Sequence, residues 1–197
     1  MTPKPFIVGI GHVARVGKDT AASALQKELG FTRIGFADQL RELAMGADPL
    51  ATATVRSVNV SVGHGRLAWV VQGLGYEAAK DSYPEVRRFL QNLGTAARTT
   101  FGEDFWVDQL FARAKALGAP RIVIPDVRYK NEAAAIKARG GVLIRINRPG
   151  AVGYGHLSET DLKDYTGWDE EFTNNTDVEA LQRDVVGFVK NILEGRK

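Results

Sequence analysis

The residues best suited to chemistry in this chain sit in one short run, Gly17-Lys18-Asp19-Thr20. Before it comes an apolar stretch, Phe6 to Gly11, and after it a helical pattern that buries Ala22, Leu25 and Leu29. A strand, a glycine-bearing loop and a helix in that order make a cradle for phosphate. Loop amides and the helix N-terminus supply donors and a positive dipole end, and Lys18 adds a full charge where two phosphates meet. The pattern G-x-x-x-x-G-K-[ST] is met with two departures. His12 stands where the first glycine belongs, with Gly11 one place early, and Asp19 follows the lysine so that the hydroxyl arrives at Thr20. The plain alternative is a solvated strand-to-helix turn with an incidental lysine.

A Gly-Lys-x-Thr ending resembles the loop of nucleoside monophosphate kinases, in which the residue after the lysine is not the hydroxyl. A rival overlaps it. Gly9-Ile10-Gly11-His12-Val13-Ala14 fits the dinucleotide fingerprint G-x-G-x-x-A, and Asp38 lies at the end of the next candidate strand, about where a ribose-binding acid would sit. An NAD(P)-binding Rossmann enzyme therefore stays in play. Arg15 and Lys18 argue against it, since a turn that packs closely on its helix has no need of two cations.

The elements that must position this loop follow in order. Thr32 to Phe36 reads as a second strand and Ala37 to Ala44 as the start of a helix, with Arg41 three residues after Asp38 on one face. Asp38 also suits a helix N-cap, the commoner role for an acid there. Residues 46 to 84 are broken by Gly46, Asp48-Pro49, Gly63, Gly65, Gly73 and Gly75. They leave an edge strand or hairpin arm over 52–62 and helices near 67–74 and 77–82. Trp69, Tyr76 and Tyr83 are either walls of a base pocket or core. Pro84 opens a long helix in which Arg87 and Gln91, four apart, share a face, while Val86, Phe89, Leu90 and Leu93 are buried. An arginine so paired with an amide can hold a phosphate while the amide reads a base edge; a solvated polar face is the alternative.

The segment Phe101 to Leu110 turns and begins a further amphipathic helix, through Lys115 to the Gly118 stop. Then Arg121-Ile122-Val123-Ile124-Pro125-Asp126 reads as a third strand with an aspartate at its tip, an arrangement that holds magnesium opposite a phosphate loop. Pro125, lacking a donor, is expected at the strand's very end. Arg128 follows into the same crevice, and a helix over 131–139 closes the unit. Val142 to Arg148 is a fourth strand. The glycine-bearing run from Pro149 to Gly155, with His156-Leu157-Ser158-Glu159 after it, is a candidate lid. His156 also suits a capping or surface histidine, and its spacing matches no metal site. Glu171 to Asn175 is a short fifth strand, and a last helix runs from Val178 to Leu193.

The chain has 197 residues, no cysteine and a formal net charge of +3. One core is expected, with no signal peptide, no disulfides or thiolate metal site, and no apolar run long enough to span a membrane. The sequence pI is about 9.2, but the 16 Arg and 10 Lys are dispersed in ones and twos. That suits bidentate capture of phosphates in a pocket better than tracking a polynucleotide, so no nucleic-acid polymer is expected as partner.

Gly17-Lys18-Asp19-Thr20, Phe36 to Arg41, Arg87 to Thr95, Pro125 to Glu132, His156 to Glu159 and Asn174-Asn175 together resemble the deoxynucleoside monophosphate kinases of bacteriophages, over nearly the full length except 46–84. The resemblance implies an α/β P-loop NTPase fold: one domain over 1–197, a five-stranded parallel sheet flanked by helices, an acceptor-side insertion at 46–84 and a lid-like segment at 148–160. It implies ATP-dependent phosphorylation of deoxynucleoside 5′-monophosphates, with ATP and Mg2+. By it, Ala14, Arg15, Val16, Gly17, Lys18, Asp19 and Thr20 hold ATP's phosphates, and Asn174 lies near its adenine. Thr20 and Asp126 serve the metal, directly or through water. Arg41, Arg87 and Arg88 hold the acceptor phosphate, with Asp38, Trp69 and Gln91 towards the nucleoside. Lys18, Asp126, Arg128 and Arg148 are the expected catalytic group, the two arginines neutralising charge on the transferring phosphoryl. A P-loop kinase of another small phosphorylated acceptor such as phosphomevalonate, and a nucleotide-binding regulatory module without transfer activity, are the alternatives. The expected location is the cytoplasm, the host's if the chain is phage-encoded. A homodimer is left open.

Overall fold

The computed structural model describes residues 4–11, 13–55, 60–151, 160–175 and 177–195. His12 and the stretch 152–159, with His156 and most of the lid-like segment, lie outside them. In chain order the elements are β1 (Phe6–Gly11), α1 (Lys18–Leu29), β2 (Thr32–Arg33), α2 (Phe36–Ala47), β3 (Leu50–Val55), β4 (Val60–Arg66), α3 (Leu67–Ser82), α4 (Pro84–Phe101), α5 (Phe105–Leu117), β5 (Arg121–Val127), α6 (Lys130–Ala138), β6 (Val142–Asn147), β7 (Glu170–Thr173) and α7 (Val178–Gly195). The chain divides into two compact units, Met1–Phe36 with Val107–Lys197, and Ala37–Trp106. The second unit extends on both sides of the 46–84 stretch.

In the first unit, five strands form a parallel sheet in the order β2-β5-β1-β6-β7. Strands covered on both faces read as continuous apolar runs, which is why Ile7 to Ile10, Ile122 to Ile124 and Val142 to Ile144 carry almost no polar residues. Val8, Ile10, Val123 and Ile144 pack with Leu25 of α1 and Val185 and Val189 of α7 in one core. β1 lies between β5 and β6, so the loop after it opens at a topological switch point, where parallel sheets bind their ligands.

Gly9 and Gly11, the pair that fits a dinucleotide fingerprint, are glycines for a packing reason. A Cβ at Gly9 would come 2.7 Å from Ile136 Cδ1 and 2.9 Å from Leu143 Cδ2; one at Gly11 would come 2.5 Å from the Trp168 ring.

Two local expectations change. β5 continues past Pro125 to Val127, and the β1–β5 register shifts between Gly9 and Gly11, opposite Pro125 and Asp126. A proline with no amide breaks the ladder, and the extra residue is taken up as an irregularity that re-aims the chain at Asp126. β2 is shorter than expected, because Phe36 already belongs to α2, its amide donating to Asp126 Oδ1 at 2.9 Å. Asp38 consequently lies in the first turn of a helix, not at a strand tip.

In the second unit, β3 and β4 pair antiparallel from Leu50↔Arg66 to Val55↔Val60, so the stretch 52–62, expected as one edge strand or hairpin arm, is divided between two strands. α3 is two helical segments meeting at Gly75 (φ 74°, ψ 162°), a backbone conformation open to glycine alone at no cost. Pro84 takes the first turn of α4, where its missing donor is not needed. Ala44, Ala51, Leu67, Val86 and Leu90 form the core of this unit. Glu85 accepts the Thr52 amide at 2.9 Å and Asp48 accepts the Ala68 amide at 2.8 Å, tying the ribbon to the helices. No helix among the described residues is long and apolar enough to cross a membrane.

Candidate active site

The loop after β1 is held from beneath. Val16 is fully buried in the core, and its carbonyl accepts the Asn174 Nδ2–H at 2.8 Å. Asn174 is itself fixed, its amide donating to the Asn147 carbonyl at 2.7 Å. Gly17 then turns with φ 107° to enter α1, whose N-terminus carries no side-chain cap. A Cβ there would come 2.8 Å from Asn174 Nδ2 and 2.9 Å from Leu181 Cδ2, so the position is closed to side chains twice over, by conformation and by space. Arg15 also has positive φ, 63°. Lys18 is buried, and its ammonium donates to the Val13 carbonyl, folded back over the loop. The first-turn amides of a helix have no intrahelical acceptor, so this uncapped end with a lysine curled beside it is built for an anion. Thr20 lies in the same first turn. Asp19 turns its carboxylate to solvent, 3.7 Å from Arg33, which leaves its backbone amide as the group it offers a phosphate.

Asp126 and Arg128 come from the end of β5 and the turn after it. The carboxylate of Asp126 lies so close to Gly35 that a Cβ there would be 2.8 Å from Oδ2. Arg128 is positioned through its backbone. Buried Glu132 accepts the Arg128 amide at 2.7 Å and the Tyr129 amide at 3.1 Å, closing the start of α6 as the acidic half of a capping box. Arg148 is exposed in the turn after β6, where its carbonyl accepts the Ala151 amide at 3.1 Å.

The second unit carries the residues expected at the acceptor. Arg41 lies 3.9 Å from Asp38, and its guanidinium stands over the Tyr76 ring, 5.2 Å from the centroid. The Tyr76 hydroxyl donates to the Arg41 carbonyl at 3.1 Å. Arg87 is bonded to Asp81 at 3.1 Å. Arg88 reaches back along α4 to Glu85 at 3.3 Å. Trp69 is exposed, its ring lying over Gly65, and Gln91 is half-buried on α4.

Between Arg41 and Arg87 lies a pair the sequence reading passed over, Glu77 and Lys80, joined by a hydrogen bond. Burial pulls the Lys80 ammonium below the ordinary lysine pKa; the bond and charge of Glu77 work against this, and the charges of Arg41 and Arg87 add to it. Burial works to raise the Glu77 pKa, but Lys80, Arg41 and Arg87 together hold it below its usual value. Burial raises the pKa of Tyr76, against a smaller opposing effect of Arg41. Glu132 was also missed as a functional residue, although an acid three residues into a helix after Tyr129 is a capping signal. For Lys80 the only signal was i,i+3 spacing from Glu77, common on any solvated helix.

A buried lysine at an uncapped helix N-terminus, after the central strand of a five-stranded parallel sheet, is the phosphate cradle of a P-loop fold, whose kinases use ATP. The sequence model described as Deoxynucleotide monophosphate kinase matches residues 76–185, more than half of the chain, and the chain belongs to that family. It is similar to an Acanthamoeba polyphaga mimivirus protein described as "Putative deoxynucleotide monophosphate kinase", 29% identical over 195 residues that cover 94% of this chain and 96% of the viral one. That relative comes from a giant virus, whereas the sequence resemblance pointed to phages. Among solved structures, the shikimate kinase of Aquifex aeolicus VF5 is 12% identical with a TM-score of 0.46, covering 96% of this chain and 99% of its own. The dephospho-CoA kinase of Campylobacter jejuni is 16% identical with a TM-score of 0.42, covering 98% and 99%.

Proposed function

We propose that this kinase transfers the γ-phosphoryl group of ATP to deoxynucleoside 5′-monophosphates, giving diphosphates, in the cytoplasm. The observation that carries the proposal is the Lys18 loop, braced by Val16 and Asn174, in a chain of the deoxynucleotide monophosphate kinase family. The residues 14–20 take the ATP phosphates on loop amides, the α1 N-terminus and the Lys18 ammonium, with Asn174 on the adenine side. Arg41 and Arg87 take the acceptor phosphate, Arg88 contributing less. Asp38, Trp69 and Gln91 face the nucleoside.

Mg2+ takes oxygen ligands, and Thr20 and Asp126 supply a hydroxyl and a carboxylate. Asp126 Oδ1 accepts the Phe36 amide, and hard carboxylate oxygens are the ligands Mg2+ prefers. Among the described residues no three His, Cys, Asp or Glu side chains gather as a metal site. An ion held by Thr20, Asp126 and substrate phosphates is the mode typical of magnesium. It would supply charge neutralisation on the phosphates.

The acceptor phosphate is already anionic, so no strong general base is required. The protein's part is to align two polyanions and to neutralise charge on the transferring group, for which Lys18, Arg128 and Arg148 are assigned.

ATP and magnesium, offered against a panel of deoxy- and ribonucleoside monophosphates with phosphomevalonate beside them, test this through ADP release. Turnover is expected with one or more deoxynucleotides. Turnover with phosphomevalonate alone, or with none of the panel, would overturn the substrate class.

A further inference from the structure

The charges of the second unit do not sit as an ordinary helix surface would hold them. Three cations, Arg41, Lys80 and Arg87, come from α2, α3 and α4, and each rests on a carboxylate: Asp38 at 3.9 Å, Glu77, and Asp81 at 3.1 Å. Tyr76 pins the α3 end of this group to α2 by its hydrogen bond to the Arg41 carbonyl and by the guanidinium over its ring. Within the Glu77–Lys80 pair the burial is lopsided. The Lys80 side chain is 18% exposed and that of Glu77 is 71% exposed. A solvated i,i+3 pair leaves both ends in water. Here the cation is drawn in near two further cations, an arrangement unfavourable in itself, and the anion relieving it is the partner nearest to solvent.

We propose that Lys80 is a third cation for the acceptor phosphate and that Glu77 is its stand-in, a carboxylate that a phosphate monoester dianion displaces. The proposal rests on the acceptor assignment above and adds two residues to it. A dianion with three peripheral oxygens matches three converging cations better than separate monoanionic carboxylates can, and each charge-assisted bond to it is strong. Burial and the neighbouring guanidiniums, which lower the Lys80 pKa, are relieved by the same dianion. Glu77 is a positioning residue: its ion pair holds the Lys80 ammonium until the acceptor arrives.

The test uses the full chain as wild type, Lys80→Met, Lys80→Arg and Glu77→Gln. KM is measured for ATP and for whichever deoxynucleoside monophosphate the wild type turns over fastest. Losing a charged hydrogen bond predicts an acceptor KM about tenfold higher or more in Lys80→Met, with the ATP KM unchanged and most of the loss recovered in Lys80→Arg. Glu77→Gln removes the competing anion, so its acceptor KM falls. The opposite signs separate this from a merely structural ion pair, which would raise the acceptor KM in both variants. An unchanged acceptor KM in Lys80→Met, or a raised one in Glu77→Gln, overturns the proposal; should Lys80→Met not fold, the sign for Glu77→Gln decides alone. If the wild type phosphorylates no deoxynucleotide, the substrate reading fails by itself. Inorganic phosphate, titrated calorimetrically into the same proteins, then decides for Lys80. Weaker binding in Lys80→Met and tighter binding in Glu77→Gln support it, and equal heats in all forms overturn it.

Discussion

The two units hold their functional groups by different means. In the first, side chains that matter are tied to backbone: Lys18 to the Val13 carbonyl, Asn174 to the Val16 carbonyl, Asp126 to the Phe36 amide and Glu132 to the amides of Arg128 and Tyr129. In the second, the candidate cations are tied to other side chains: Arg41 to Asp38, Lys80 to Glu77, Arg87 to Asp81 and Arg88 to Glu85. A backbone contact fixes one geometry and is available whatever the neighbouring side chain. An ion pair between flexible, partly exposed groups is worth little and is readily exchanged. The first unit is thus preorganised, as the proposed binding of ATP's phosphates there requires. The second presents charges that a bound anion can re-partner.

If that contrast is real, the largest loss comes from the first unit. Lys18→Ala removes the buried charge folded over the loop, and the kcat is expected to fall by about 10²–10³ or more, the scale of deleting a preorganised electrostatic contact. Far-UV circular dichroism is expected to stay unchanged, because the ammonium donates to a carbonyl of its own loop. Normal turnover in this variant would remove Lys18 from the mechanism.

Next in size is Glu132→Ala. Two amides that were satisfied in a buried setting lose their acceptor, each at about 1–3 kcal/mol, and the turn presenting Arg128 loosens. Thermal unfolding is expected at a clearly lower temperature, with kcat reduced more than either KM. An unfolding midpoint equal to wild type would show that water replaces the carboxylate and that Glu132 does not position Arg128.

How much of this was legible in the sequence follows the same division. Backbone-tied features leave local patterns. The strand-loop-helix around Gly17-Lys18 and the apolar runs of β1, β5 and β6 each carry a period or a turn signal and could be read from them, while the five-strand parallel arrangement came from the family resemblance. The ends of β2 and β5 were misjudged because they are set by a distant contact, Asp126 with the Phe36 amide, ninety residues apart in the chain. The 46–84 stretch yielded its two helical segments, broken at Gly75, but its alternation over 52–62 read as one strand or arm where two strands pair. It did not yield Glu77 and Lys80, whose significance depends on which helices pack beside α3, and no spacing within α3 encodes that.

In the second unit, single losses are expected to be smaller and confined to one substrate. Arg41→Ala and Arg87→Ala each remove one of several cations, and the acceptor KM is expected to rise about tenfold with the ATP KM spared. Steady-state kinetics with each substrate varied in turn reads the split. Equal rises in both constants would mean that these arginines support the fold and not the acceptor.

The smallest effect separates neighbours on one helix. Arg87 and Arg88 are adjacent on α4, so they project about 100° apart. The Arg87 side chain is 28% exposed and its charge reaches Glu77 and Lys80, whereas that of Arg88 is 71% exposed and returns along the helix to Glu85. An exposed i,i+3 pair contributes about 0.3–0.5 kcal/mol, so Arg88→Ala is expected to leave both KM values within about twofold. The double variant Arg87→Ala/Arg88→Ala should then match Arg87→Ala alone, since Arg87 pairs with Asp81 and Arg88 with Glu85. A rise for Arg88→Ala as large as for Arg87→Ala would mean that α4 offers the acceptor a different face. The group formed by Arg41, Lys80 and Arg87 would then have to give way to one centred on Arg88.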